Sequence, residues 1–285
     1  MFQWGTRTYV MGIVNVTPDS FSGDGVAAEG EDDPIERAVT QARRFAEEGA
    51  DVLDIGGEST RPGSRPVTAA EEKSRVIPVI ASIRAALPQS VISVDTYRAD
   101  VAALALDAGA DWVNDVWGLR MDPAMAELIA GRGCPIIIMH NRSKPKDAVQ
   151  EARLGGRYVG IHYANLMADI KAELSEQIDL AVAAGVRPER IIIDPGIGFG
   201  KTVPQNLEIL DRMNEIKALG FPLLSGPSRK SFIGYTLDLP PDQRLEGTAA
   251  AVAISIDRGA DIVRVHDVGP MIRIARMTDA IVRRR

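Results

Sequence analysis

A chain of 285 residues, 45% hydrophobic and 25% charged, has ordinary globular composition and enough length for one large core. Its net charge of −6 argues against a nucleic-acid surface. The single cysteine, Cys134, allows no intrachain disulfide and reads as a small buried apolar residue. No run approaches the ~18 apolar residues of a membrane span. The opening "MFQWGTRTYVMG" lacks a basic segment followed by a long apolar one. The expectation is a cytoplasmic protein with no membrane segment.

Short β-branched runs and the helical patterns that follow them alternate along the whole chain. In order, they place a strand at 8–16 and a helix at 34–49, then 51–57 with 69–87, 91–95 with 98–109, and 112–117 with 123–132. The second half continues with 135–140 and 159–185, 190–195 and 203–219, 222–226 and 244–258, and 261–266 and 270–284. The tripeptide GAD recurs at 49–51, 109–111 and 259–261, closing a helical segment and opening an apolar run each time. A glycine there ends the helix in a left-handed conformation, with a strand starting two residues later.

Strand–helix units in this number and length predict an α/β fold, a TIM (β/α)₈ barrel, as a single domain over 1–285. An open doubly wound sheet remains the alternative, because alternation does not show closure. The long connections 17–33, 58–68, 141–158 and 227–243 all follow strands. In a barrel that places them at the catalytic face.

Strand side chains alternate between the barrel interior and the helices. Ile13 shares a face with Asn15, Ser93 with Asp95, Trp112 with Asn114, Ile192 with Asp194, and Ile262 with Arg264 and His266. Each set ends in a polar group at the C-terminal end of its strand. One such residue can belong to a satisfied core network. Several together point to a ligand, since each unpaired buried group costs roughly 1–3 kcal/mol. His140, at the end of strand five, is left open between core and ligand contact, and His162 is placed in a helix with a structural role.

No His, Cys or carboxylate spacing matches a zinc site. Asn and Asp with flanking hydroxyls suit a hard ion such as Mg²⁺, held together with a substrate phosphate. "DPGIGFGKT" (194–202) fails both the Walker A and the Rossmann spacing. Its glycines are expected to let backbone approach a flat ligand beside Asp194 and Phe199. "SGPSRKSF" (225–232) places Ser228, Arg229 and Lys230 after strand seven, where barrels commonly bind phosphate.

In chain order, "MGIVNVTPDSFSGDG" (11–25), "DIGGESTRPGS" (54–64), "ISVDT" (92–96), "NDVWG" (114–118), "DPGIGFGKT" (194–202), "SGPSRKSFIG" (225–234) and "RVHDV" (264–268) together resemble the dihydropteroate synthase family. These are the folate-pathway enzymes targeted by sulfonamides. The resemblance implies a TIM barrel, a homodimer, and a transferase joining (7,8-dihydropterin-6-yl)methyl diphosphate to 4-aminobenzoate with release of pyrophosphate.

By motif position, the resemblance implies Asn15 as the Mg²⁺ ligand. It implies Thr60, Asp95, Asn114, Met139, Asp194, Lys230, Arg264 and His266 as ligands of the pterin diphosphate. Arg61, Pro62, Phe199 and Ser228 would surround aminobenzoate, and Lys230, Arg264, His266 and Asp95 would carry the catalysis. The chain departs from the family pattern at Asn141 and Arg142, whose roles stay open. Asp19, Asp24, Asp54 and Glu58 stay open between local hydrogen bonding and ligand contact.

The implied chemistry suits these groups. A buried carboxylate at Asp194 accepts the N–H donors of an aminopyrimidine edge, which Asp95 and Asn114 complete. Lys230 donates to the ring carbonyl or N5. Arg264, His266, Asn15 with Mg²⁺ and backbone N–H groups near Ser59 hold the pyrophosphate. An electron-rich dihydropterin shares positive charge on its exocyclic methylene, so a largely dissociative substitution is expected. The arylamine is already neutral and needs no strong base. "TPDSFSGDG" and "GESTRPGS" are expected to form a mobile lid.

Two competing readings share the pterin site. A pterin-dependent methyltransferase acting on a corrinoid protein would need neither "GESTRPG" nor "SGPSRK". An inactive, sequestering homologue would be expected to lose motif positions, and these are filled. Length argues against a fused pyrophosphokinase.

Overall fold

The computed structural model describes residues 2–16, 33–59, 67–143, 147–159 and 161–284. Its elements run β1 (Tyr9–Asn15), α1 (Pro34–Glu48), β2 (Val52–Gly56), α2 (Ala69–Ala86), β3 (Val91–Asp95), α3 (Ala99–Asp107), β4 (Trp112–Asp115), α4 (Ala124–Arg132) and β5 (Ile136–Met139). There follow β6 (Ala148–Val149), β7 (Arg157–Tyr158), α5 (Leu166–Ala183), β8 (Ile191–Asp194), α6 (Val203–Asp211), α7 (Met213–Lys217), β9 (Leu224–Ser225), α8 (Ser231–Leu237), α9 (Leu245–Asp257), β10 (Ile262–Val265) and α10 (Val268–Val282).

The main sheet is eight-stranded and parallel, in the order β8-β5-β4-β3-β2-β1-β10-β9. A parallel bridge between Ile193 and Leu223 joins its two ends, and Ile193 N–H donates to Pro222 O at 2.9 Å. The sheet is therefore a closed TIM barrel, and the open-sheet alternative falls.

Two apolar clusters show the period-two alternation directly. Val10, Val14, Leu53, Ile55, Ile92, Val94, Ile136 and Ile138 pack against the helices. Tyr9, Met11, Val52, Trp112, Ile137, Ile192, Leu224 and Ile262 fill the barrel's interior. The rings of Phe2 and Trp4 stack at 5.2 Å, and Phe2 lies 4.8 Å from Trp112, plugging the N-terminal end. Filling the lower barrel with large side chains leaves room for polar groups only at the opposite rim.

Register carries those groups around the rim. Asn15 pairs with Gly56, Gly56 with Asp95, Asp95 with Asn114, and Met139 with Asp194.

The GAD repeats have a common physical basis. Gly49, Gly109 and Gly259 have φ of 101°, 114° and 102°, the left-handed region that favours glycine. Each following strand begins three residues past its glycine, one later than expected. Each GAD aspartate then pairs with a residue at the start of the neighbouring strand. Val10, Ile92 and Leu223 donate their N–H groups to the carboxylates of Asp51, Asp111 and Asp261 at 2.9, 2.8 and 2.8 Å. The backbone N–H of each aspartate donates back to the same residue's carbonyl at 2.8, 2.7 and 2.8 Å.

Asp261 is fully buried and also pairs with Lys217 at 2.5 Å. Asp261→Ala should therefore destabilise the protein by about 1–3 kcal/mol through the orphaned Leu223 N–H. Urea denaturation checks this, and a loss below about 0.5 kcal/mol would mean the backbone bond alone holds the strand edge.

The expected elements need several corrections. The helix placed at 159–185 begins at Leu166, where Asn165 caps it by accepting the Ala168 N–H at 3.1 Å. His162 consequently lies in an exposed loop before that helix rather than within one. The connection after β5 contains the β6–β7 hairpin, and that after β9 contains α8. The helix expected at 203–219 breaks at Arg212, whose φ of −108° is not helical. Strand seven shortens to Leu224–Ser225.

Candidate active site

The inward-facing residues at the C-terminal ends of the strands form one ionic cluster. Arg264 on β10 donates from Nε to Asp54 Oδ2 at 2.6 Å and from Nη2 to Asp95 Oδ2 at 2.7 Å. Asn114 donates through Nδ2 to the same Asp54 oxygen at 3.0 Å. One guanidinium thus joins β10 to β2 and β3, and Asp54 extends the link to β4. Asp54 is the site residue whose role the motifs left open. The alternation along β2 places it on the inner face beside Val52, so period two alone would have found it.

Burial dominates the electrostatics here. It pushes the Asp95 carboxyl up to about 7 against the lowering effect of Arg264, with Asp54 adding to the rise. Burial also raises Asp194, opposed by Lys230, by the Gly196 N–H and by Lys201. Gly196 donates that hydrogen bond at 2.7 Å. Lys230 falls to about 8 through burial, opposed by Asp194. Its ammonium donates to Ile197 O and lies 4.5 Å from the centroid of the Phe199 ring. Ser228 Oγ accepts the His266 N–H at 3.2 Å and contacts His266 Nδ1 at 3.1 Å.

Asp95, Asn114, Met139, Asp194, Phe199, Ser228, Lys230, Arg264 and His266 are thus gathered at the rim, and Asn15 closes the row beside Gly56. Thr60, Arg61 and Pro62 lie outside the described residues, as does the 17–32 segment. The fully buried Asp54 Oδ1 and Ser93 Oγ have no hydrogen-bond partner among the described residues. Two orphaned polar atoms in the floor of the cluster would be costly unless a ligand or water met them.

Alternation also separates neighbours within the motifs. In "NDVWG", Asn114 faces the cluster, whereas Asp115 turns outward and accepts the N–H groups of Trp117 and Leu119, both at 2.8 Å. In "SGPSRK", Arg229 pairs with Asp267 at 2.6 Å instead of standing open for phosphate. The glycines of "DPGIGFG" meet the protein itself. A Cβ on Gly198 would lie 2.7 Å from Lys230 Cδ, so the missing side chain there makes room for the lysine stem.

Asn141 and Arg142 now have structural roles. Asn141 is buried, accepts the Ser143 N–H at 2.8 Å and donates to Val116 O at 3.1 Å. Arg142 donates to Glu173 at 2.5 Å and to His162 O at 2.8 Å, tying the loop to α5. His140 is fully buried and held neutral, with its pKa lowered to about 3 by burial and by Lys201. It belongs to the core and not to the open face. Glu58 pairs with Arg98 at 2.6 Å, and Arg98 also donates to Val67 O at 2.8 Å.

Among the described residues, no group of three or more His, Cys, Asp or Glu is placed to hold a metal ion, and no helix is long and apolar enough to cross a membrane. A shallow cavity lined by Ala46, Asp51, Leu87 and Val91 lies at the opposite rim and contains none of the clustered groups.

The chain's sequence matches the family model for pterin binding enzymes over residues 11–266. It is 48% identical over 99% of its length to a dihydropteroate synthase from Clostridium beijerinckii, covering 97% of that protein. A dihydropteroate synthase structure from Clostridium difficile, determined in the presence of pteroic acid, superposes with a TM-score of 0.89 at 46% identity, covering 100% of both chains. A structure of the Xanthomonas albilineans dihydropteroate synthase with 4-aminobenzoic acid gives 0.85 at 41% identity, covering 96% of this chain and 93% of that one.

Proposed function

The chain belongs to the dihydropteroate synthase family of pterin-binding enzymes, and on that premise we propose that it joins (7,8-dihydropterin-6-yl)methyl diphosphate to 4-aminobenzoate, releasing pyrophosphate. The observation that carries this reading is the convergence of Asp54, Asp95, Asn114 and Asp194 around Arg264 and Lys230 at one rim. Acidic acceptors match the N–H edge of an aminopyrimidine, and the orphaned Asp54 Oδ1 adds an acceptor in the floor.

In this reading Asp194 accepts two N–H groups of the pterin, and Asp95 and Asn114 complete its edge. Lys230 donates to the ring carbonyl or N5. Arg264 and His266 face the diphosphate, and Thr60 is a further ligand of the same substrate. Phe199, Ser228, Arg61 and Pro62 enclose the aminobenzoate, and Met139 packs on the pterin. The C–O bond breaks with its electron pair leaving on the diphosphate, and the dihydropterin shares the positive charge on the methylene. The neutral arylamine then attacks and loses its proton to solvent. The protein contributes substrate ordering, leaving-group electrostatics and water exclusion.

The amide oxygen of Asn15 is a hard donor, and no protein cage stands near it among the described residues. That donor set fits a Mg²⁺ ion held by Asn15 and by substrate phosphate oxygens. When bound, the ion would neutralise charge on the leaving diphosphate. We also propose one catalytic domain, a cytoplasmic location and a homodimer formed through α9 and α10. There Ile254, Met277 and Ile281 are 44%, 63% and 49% exposed.

A pyrophosphate-release assay with both substrates tests the function; no release with either substrate order would remove it. In the same assay EDTA should suppress turnover, and full activity in EDTA would take Asn15 out of a metal role. The pH profile of kcat/KM follows from the two shifted groups. Turnover needs Asp95 charged and Lys230 charged, so activity should rise through about pH 7 and fall through about pH 8. A flat profile from pH 6 to 9 would detach both groups from the rate.

A further inference from the structure

We infer that Lys201 is a positioning residue for the synthase reaction, folding residues 195–200 around its ammonium and thereby seating the Phe199 ring against Lys230. The inference deepens the synthase reading, because it takes Phe199 as part of the aminobenzoate subsite.

Lys201 is almost fully buried, 3% exposed. Its Nζ donates to Phe199 O at 2.9 Å and to Gly196 O at 3.0 Å, and faces His140 Nδ1 at 3.0 Å. It also lies 3.4 Å from His140 O. A buried ammonium has three protons to satisfy, and here they gather acceptors from both ends of a short loop and from the end of β5. His140 is neutral, so its Nδ1 accepts. The other ring nitrogen, Nε2, lies 3.1 Å from Glu173 Oε2. Burial pulls Lys201 well below the ordinary lysine range; the charge of Asp194 opposes that fall, and Lys230 and Arg142 add to it.

The loop is close enough to the β5 end that position 196 admits only glycine. Its φ is 71°, and a Cβ there would lie 1.9 Å from His140 O. The Phe199 N–H donates to Gly196 O at 3.0 Å, completing the turn that Lys201 closes from inside.

Helix α6 does not depend on this arrangement. Thr202 and Gln205 form a reciprocal capping box at its start, with the Thr202 N–H donating to Gln205 Oε1 at 2.9 Å. Asn206 accepts the Gly198 N–H at 2.6 Å. What Lys201 adds beyond these is the path of Gly196 to Phe199. That stretch carries a half-buried aromatic ring lying against Lys230, not a core side chain.

A double-mutant cycle on the full chain tests this. KM for 4-aminobenzoate and kcat are measured for the wild type, Lys201→Met, Phe199→Ala and the double variant, with thermal midpoints for each. Each single change should raise KM at least ~10-fold, with the double variant within ~3-fold of the larger single, because the ring has already lost its seat. Multiplying effects would show that Lys201 acts independently of Phe199, and an unchanged KM in Lys201→Met would show that it does not position the loop. Either result overturns the inference.

If Lys201→Met does not fold, Lys201→Gln, which keeps a donor, carries the same cycle. Failure of both to fold would make the ammonium a requirement of the core, which also overturns it. The synthase reading fails separately, through absence of pyrophosphate release by the wild type.

Discussion

Asp194→Ala should abolish measurable binding of the dihydropterin substrate. In the proposed reading the carboxylate accepts two ligand N–H groups, and in the fold it is the charge partner of Lys230 and Lys201. Removing one partner from a buried charged set costs about 3–5 kcal/mol, or a loss of affinity on the order of 10²–10⁴. Asp194→Asn should be nearly as poor, since it turns one acceptor into a donor aimed at a donor edge. Calorimetry with a pterin ligand in the absence of aminobenzoate measures both. Wild-type affinity in Asp194→Ala would remove this residue from the pterin site.

Arg264→Met should be the most damaging change to catalysis and should also lower stability. The guanidinium is the cation between Asp54 and Asp95, at 2.6 and 2.7 Å. Its loss should cost about 3–5 kcal/mol of stability at neutral pH and a factor on the order of 10²–10³ in turnover.

The pH dependence has a definite sign. The folded-state pKa of Asp95 lies at about 7, above its ordinary value, so its ionisation in the fold costs stability. That cost is complete above about pH 7 and disappears as pH falls toward the ordinary carboxylate range. Without Arg264 the rise is larger, and the deficit relative to wild type should shrink on acidification. Denaturation curves at several pH values test this. A deficit that does not vary with pH, or unchanged turnover, would contradict the role given to Arg264.

Much of the candidate site was legible before the fold. Period two along the strands put Asp95, Asn114, Asp194 and Arg264 on inner faces, and the interior cluster beneath them obeys the same alternation. Asp54 obeyed it too, but its motif neighbours in "DIGGESTRPG" drew attention to the loop instead. Lys201 was legible only as part of a glycine-rich loop of failed phosphate-binding spacing. Nothing local shows that its ammonium faces inward to His140, 61 residues away. The start of α5 at Leu166 falls later than expected because apolar residues in the preceding connection mimic helical periodicity, whereas α8, Ser231–Leu237, is too short for that period to show.

The residues by themselves determined the alternation of strands and helices, the left-handed glycines of the GAD repeats and the face each polar side chain takes. These properties are set by backbone sterics and side-chain period within a few residues. Only the tertiary structure decided that the sheet closes between Ile193 and Leu223, and that Arg264 meets Asp54 and Asp95 across 210 and 169 residues. Register and stagger around a closed barrel decide which charges become neighbours, and they depend on all the strands packing at once.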